Sequence, residues 1–256
     1  MKPVPHEDDE ESSYSGENML PGDVGRFSDA LARATAEESE VAVPAALCQA
    51  CVDLLDITGA SISLQGEGDA RVLWWSSSEV AGQLAEAQYT LGDAPCQSAV
   101  DLVAPVLAAD LTQGPDARRW PFFAQQAVAL GVRAVFSLPL SAGGLALGTL
   151  DLYREEAGEL SERDRAFAFP MAEAITTALL NLPGGPATSD PDEDMWLAMA
   201  ESDHEEVHQA TGMIMVHLGV DPQQALARLR AHAFSHDLTV TEAARSVIEG
   251  KVRFHD

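Results

Sequence analysis

The sequence predicts an α+β domain followed by a small three-helix bundle, and three observations carry that expectation. Extended segments come in pairs joined by short turns, with helical patterns before and after, as in an antiparallel sheet with covering helices. The stretch L-P-G-G-P-A-T-S-D-P-D-E-D, Leu182 to Asp194, cannot continue a helix and breaks the chain in two. Beyond it, apolar residues recur at helical spacing, with helix stop and start signals between them. The expected division is an acidic flexible tail (1–25), an α+β domain (26–182), a Pro/Gly-rich linker (183–194) and a helical domain (195–256).

Each element follows from local pattern. Residues 1–25 are rich in Glu, Asp, Ser, Pro and Gly and poor in apolar side chains. Val43 to Ile57 places Leu47, Cys51 or Val52, Leu54 and Leu55 at helical spacing. Ala60 to Gln65 alternates with period two, and Ala70 to Ser76 reads as its returning strand across a turn. Ala104 to Asp110 is a further short strand. Val132 to Leu140 and Leu145 to Tyr153 form a second hairpin around S-A-G-G. A long helix from Ser161 to Leu182 closes the domain, with Ser161 as cap and Asp164 at the third helical position. This arrangement predicts a sheet covered on one face.

The helical domain starts with a helix from Met195 to about Leu218, whose apolar stripe runs through Trp196, Ala200, Val207, Ala210 and Ile214. Gly219 suits its stop, Asp221 the next cap and Pro222 the next first turn. The second helix turns Ala225, Leu226, Leu229 and Ala233 inward. The third opens on the capping box Thr239-Val-Thr-Glu242 and buries Val240, Ala244, Val247 and Ile248.

Composition narrows the class. With 46% apolar and 22% charged residues the chain can build a core. No uncharged stretch is apolar for long enough to cross a membrane; Ala134 to Leu150 comes nearest and is broken by Pro139 and glycines. The N-terminus carries E-D-D-E-E where a secretory signal would be basic and then apolar. Three cysteines form no disulfide framework, which suits a reducing compartment; the expected location is the cytoplasm. The net charge of −26 excludes non-specific nucleic-acid binding by the whole surface. Residues 223–253 are the exception, with 5 basic against 3 acidic residues, and six of the seven histidines fall beyond residue 200.

The middle domain resembles the GAF fold, a signal- and small-molecule-sensing module, through L-G-D-A-P-C-Q, R-R-W-P-F-F, G-V-R-A-V-F-S-L-P-L and L-G-T-L-D-L-Y. The helical domain resembles the ANTAR family through H-Q-A-T-G-M-I-M-V-H-L-G-V (His208 to Val220), A-L-A-R-L-R-A-H-A and T-V-T-E-A-A-R-S-V-I. That resemblance implies RNA binding in a transcription antitermination regulator, a non-enzyme that takes paired stem-loops, with a homodimer as the expected assembly. Many members carry a Lys where Thr211 stands.

Candidate RNA-contacting residues are His208, Gln209, Thr211, Gly212, Arg228, Arg230, His232 and Arg245. Planar, hydrogen-bonding side chains suit unpaired loop bases. Arg228 shares a helical face with His232, and Arg230 shares one with Phe234. Gly212 admits either an RNA backbone or a partner helix. In the sensor domain, Cys96, Arg119, Trp120 and Phe122 are candidate pocket residues for a small molecule or protein partner, ordinary core packing being the plainer reading. Cys48 and Cys51 read as core residues and imply no metal. Cys96, at a helix start, is a candidate for a lowered thiol pKa. No cofactor is expected.

Two rival functions stand beside the regulator: a protein-binding adaptor using the bundle for docking, and a thiol-dependent methionine sulfoxide reductase of GAF fold. The acidic tail either competes with RNA for the basic C-terminal face or only solubilises the chain.

Overall fold

The computed structural model describes residues 21–36, 42–65, 71–182 and 205–254. Helix α1 (Pro21–Thr35) begins inside the stretch expected to be a tail. The acidic residues before it lie outside the described residues, as do the linker and the first turns expected from Met195 to His204. Pro21 as first residue favours the helix start, and Ala30 and Ala34, four apart, pack it against α2 (Val43–Leu54).

Five strands form one antiparallel sheet: β1 (Gly59–Gln65), β2 (Arg71–Ser76), β3 (Val106–Ala108), β4 (Ala134–Ala142) and β5 (Leu145–Arg154), in the order β2-β1-β5-β4-β3. The expected hairpins are β1–β2 and β4–β5. The second turns on Gly143 and Gly144, whose φ angles of 59° and 80° only glycine adopts at no steric cost.

One face of the sheet presents Ile62, Leu64, Phe136, Leu138, Leu150 and Leu152 to α2 and to α7 (Glu162–Leu180). Ser161 caps α7, its hydroxyl accepting from the Asp164 N–H at 3.0 Å as its position predicts. Cys48 and Cys51 lie in this core. The other face is covered too, by α3 (Glu79–Leu91), α4 (Pro95–Leu102) and α6 (Pro121–Ala129), with short α5 (Gly114–Arg119) alongside. The expectation of one covered face is therefore corrected. Alternation along A-S-I-S-L-Q signals a half-exposed strand, yet Ser61 and Ser63 are only 2% and 5% exposed. Polar residues on this face meet one another rather than water.

Three further helices, α8 (Glu205–Leu218), α9 (Pro222–Ser235) and α10 (Val240–Ile248), make the bundle. Asp221 caps α9 by accepting from the Gln224 N–H at 2.8 Å. The Thr239–Glu242 capping box of α10 is complete in both directions. The interior is built on Val207, Ala210 and Ile214 from α8, Leu226 and Leu229 from α9, and Val240, Ala244 and Val247 from α10. Its many alanines let the helix axes approach closely. One further member comes from outside the bundle: Tyr89 of α3 is 3% exposed and packs in this core.

Candidate functional site

On the bundle, α8 carries His208 and Gln209 exposed on its first turns and Thr211 and Gly212 half-buried. The Thr211 hydroxyl donates to the Val207 carbonyl at 2.7 Å, so it is satisfied within its own helix. A Cβ at Gly212 would meet no described atom within 4 Å, which leaves this side of α8 without a packing neighbour among the described residues. Arg245 of α10 is exposed and pairs with Glu206 of α8 at 3.1 Å, bringing it beside the first turn of α8. At 58% side-chain exposure that pair is weak and easily exchanged for another anion.

The two arginines of α9 part company. They are two residues apart, about 200° around the helix. Arg228 is exposed, and no carboxylate pairs with it among the described residues. Arg230 is half-buried against the α+β domain, its guanidinium 5.3 Å from the Tyr89 ring centroid. Phe234, one turn on, meets Phe122 of the sensor edge-to-face at 4.7 Å. His232 faces away from that contact, stacking on His236 at 4.1 Å and meeting Phe254 at 5.6 Å. Burial first, and the neighbouring His236 second, hold the His232 imidazole below its ordinary pKa.

Of the four candidate pocket residues, Cys96 and Trp120 share one buried cluster. Arg119 lies outside it, 4.5 Å over the Trp120 ring. Phe122 is not there: it is 56% exposed and turned to the bundle, while Phe123 takes the buried position. The lowered thiol pKa expected of Cys96 is also corrected. Burial pushes this thiol up to about 12, against a smaller opposing pull from Arg71. The helix N-terminus cannot offset the loss of solvent. Cys48 and Cys51 are buried and raised for the same reason.

A polar cluster on the second face of the sheet was not anticipated. Asp151 of β5 sits in register between Ser61 of β1 and Ser137 of β4, a three-strand rung. Its carboxylate accepts from Ser137 at 2.5 Å and from Thr149 at 2.8 Å. Arg71 donates to the Cys96 carbonyl at 3.2 Å, and Gln88 of α3 accepts from the Cys96 N–H at 3.0 Å. Burial pushes the Asp151 carboxyl up, while the Arg71 charge and the Ser137, Thr149 and Gln88 hydrogen bonds pull it back. The sequence signal was a lone acid alternating with Leu150 and Leu152 on an otherwise apolar strand. Among the described residues, no three His, Cys, Asp or Glu side chains are grouped to hold a metal ion, and no helix is long and apolar enough to cross a membrane.

A five-stranded α+β domain and a capped trihelical bundle make up the described residues. Residues 37–180 match the family model described as GAF domain, and residues 197–248 match the one described as ANTAR domain. The chain belongs to the GAF domain family and carries an ANTAR domain, a family that binds RNA, after it. Among solved structures, the GAF domain of a phosphoenolpyruvate-protein phosphotransferase from Coxiella burnetii is similar with a TM-score of 0.50 at 15% identity, over 61% of this chain and 91% of that one. The corresponding GAF domain from Acinetobacter matches with a TM-score of 0.47 at 10% identity, over 62% and 93% of the two chains. Free methionine-R-sulfoxide reductase from Neisseria meningitidis matches with 0.47 at 16% identity, over 62% and 91%. At 15% identity the first of these likenesses shows the fold alone. No curated protein matches the chain.

Proposed function

We propose that the chain is a cytoplasmic, signal-responsive RNA-binding regulator. Its α+β domain senses a small molecule or protein partner, and its bundle binds stem-loops in nascent transcripts so that a terminator does not form. The observation that carries this reading is Arg228, exposed beside a bundle whose His208 and Gln209 are also exposed, with no counter-charge among the described residues. On a chain of net charge −26, a cation left without a carboxylate supports a polyanionic partner. Imidazole, amide and guanidinium groups are suited to splayed loop bases. The open side of α8 at Gly212 supports close approach by RNA backbone. A homodimer belongs to the reading, because two linked modules grip two loops with an avidity neither has alone.

Turnover by a thiol is disfavoured, because all three cysteines are buried and Cys96 is raised to about 12. The adaptor reading draws support from one observation, the engagement of Arg230 by the sensor instead of by an open face. Crosslinking of the chain to RNA in cells, followed by sequencing, separates the two. Enrichment of hairpins upstream of terminators, lost in Arg228→Ala, supports the regulator. Recovery of no RNA above an uncrosslinked control supports the adaptor.

A further inference from the structure

Helix α3 belongs to both halves of the molecule. Gln88 points into the sensor, accepting from the Cys96 N–H at 3.0 Å, and the Cys96 carbonyl in turn accepts from Arg71, whose charge lowers the Asp151 pKa as Gln88 also does. The next residue, Tyr89, is packed in the core of the bundle. The residue after that, Thr90, accepts at 3.1 Å from the N–H of Val240, in the first turn of α10, where a helix leaves its donors without partners. One turn earlier, Glu86 accepts from the Thr241 hydroxyl at 3.3 Å.

The same helix holds α9. Arg230 lies over Tyr89, and its guanidinium crosses Gly92, where an added Cβ would come within 2.8 Å of it. Gly92 is the α3 cap, with φ 68°, so the position is open to the arginine only because glycine stands there. Phe122 meets Phe234 at the rim of the contact. Arg230 and Phe234 share one face of α9, and the sensor occupies it.

We infer that the sensor and RNA compete for the Arg230–Phe234 face of α9, and that α3 decides the outcome by linking the Asp151 cluster to the bundle through Gln88, Tyr89 and Thr90. This rests on the RNA-binding reading above. In the docked chain Arg230 is held on Tyr89 and contributes nothing to RNA. On release it joins Arg228 and widens the RNA face. A change at the Asp151 cluster reaches the bundle because Gln88 and Thr90 are two residues apart on one rigid helix. If RNA binds the released form alone and that form makes up about 1–10% of the molecules, removing the clamp tightens apparent RNA affinity about 10- to 100-fold.

The test uses the full chain, a synthetic stem-loop RNA library with randomised loops, and two mild variants. Phe122→Asp changes an exposed rim residue. Thr90→Val is close to isosteric and removes the acceptor for the Val240 N–H. Hydrogen exchange at the Val240 amide in Phe122→Asp and Gln88→Leu, which leave its Thr90 acceptor in place, reports release independently of RNA. The expected result is faster exchange with RNA affinity raised at least about tenfold, a gain that Arg230→Ala in the same background takes away. Gln88→Leu, whose hydrogen bond is made to Cys96 of the sensor, is expected to shift both readouts in the same direction. Faster exchange with unchanged or weaker RNA binding overturns the inference, as does a gain that survives Arg230→Ala, or a Val240 amide that neither Phe122→Asp nor Gln88→Leu speeds. Arg228→Ala in the released background tests the underlying reading separately. If that variant binds as its parent does, RNA recognition itself is misplaced; if it loses binding while release changes nothing, only the competition falls.

Discussion

Replacing Tyr89 by Ala should detach the stability of the bundle from that of the sensor. Tyr89 is 3% exposed, yet the buried cluster it belongs to is otherwise made of bundle residues, Leu229 and Val240 among them. Truncating a buried aromatic side chain costs about 3–5 kcal/mol, depending on how far the surroundings collapse. Loss of the Arg230 contact adds about 0.5–1 kcal/mol at a half-exposed site. The seam between two domains can close partly over the gap, which places the total near the lower end, about 3.5 kcal/mol. A helical domain this small rarely holds more than about 3–5 kcal/mol of its own. Amide exchange in α8–α10 of Tyr89→Ala should therefore approach that of an unfolded segment, while amides of β1, β4 and β5 stay protected. Urea melts should resolve two transitions where the parent shows one. Equal loss of protection in sheet and bundle would refute the reasoning, because Tyr89 would then be supporting the sensor. So would a shift under about 1 kcal/mol.

Three other outcomes are expected. Burial raises the Asp151 carboxyl, so the folded chain holds that proton more tightly than the unfolded chain; the stability this confers is fully present below the ordinary carboxylate value and is lost as pH rises above it and through the raised value of the folded chain. Asp151→Asn should thus gain on the parent in urea melts as pH is raised from about 4 to 7, whereas parallel curves would show that the carboxyl titrates normally. Cys48, Cys51 and Cys96 should resist iodoacetamide at neutral pH in the native chain and react in urea, since each is buried with its thiol pKa raised; fast native labelling of Cys96 would reopen the thiol-dependent reading. Deleting residues 1–20, ahead of α1, should tighten RNA binding more at low salt than at high salt if the E-D-D-E-E segment competes for the cationic face, and an unchanged salt slope would leave that segment a solubilising role.

Most of the architecture was legible in the sequence because it rests on local signals. The hairpins, the α7 cap at Ser161 and the Thr239 capping box each need only a few neighbouring residues to be recognised. Periodicity placed Val207, Ala210, Ile214, Ala225, Leu226, Leu229, Ala233, Val240, Ala244 and Val247 in the bundle core, whereas Ile248 is only partly buried and Ala243 joins the core in addition. Long-range facts were not legible. Nothing local distinguishes a serine that alternates toward water from Ser61 and Ser63, which alternate into a buried polar rung. Arg228 and Arg230 look equivalent in a one-dimensional pattern, and only the docking of α3 separates them. Phe122 and Phe123 differ likewise, one turned to the bundle and one to the sensor core. Of the candidate RNA residues, His208, Gln209 and Arg228 are exposed, Thr211 and Gly212 are half-buried, and Arg230 is engaged by the sensor.

The most direct measurement is the affinity of the full chain, released by Phe122→Asp, for stem-loop RNA over a range of salt, with and without Arg228→Ala. The account predicts saturable binding that weakens with salt, and a loss of about 1–3 kcal/mol in Arg228→Ala together with a shallower salt slope. Binding that is absent at every salt concentration, or identical in the two proteins, would contradict it.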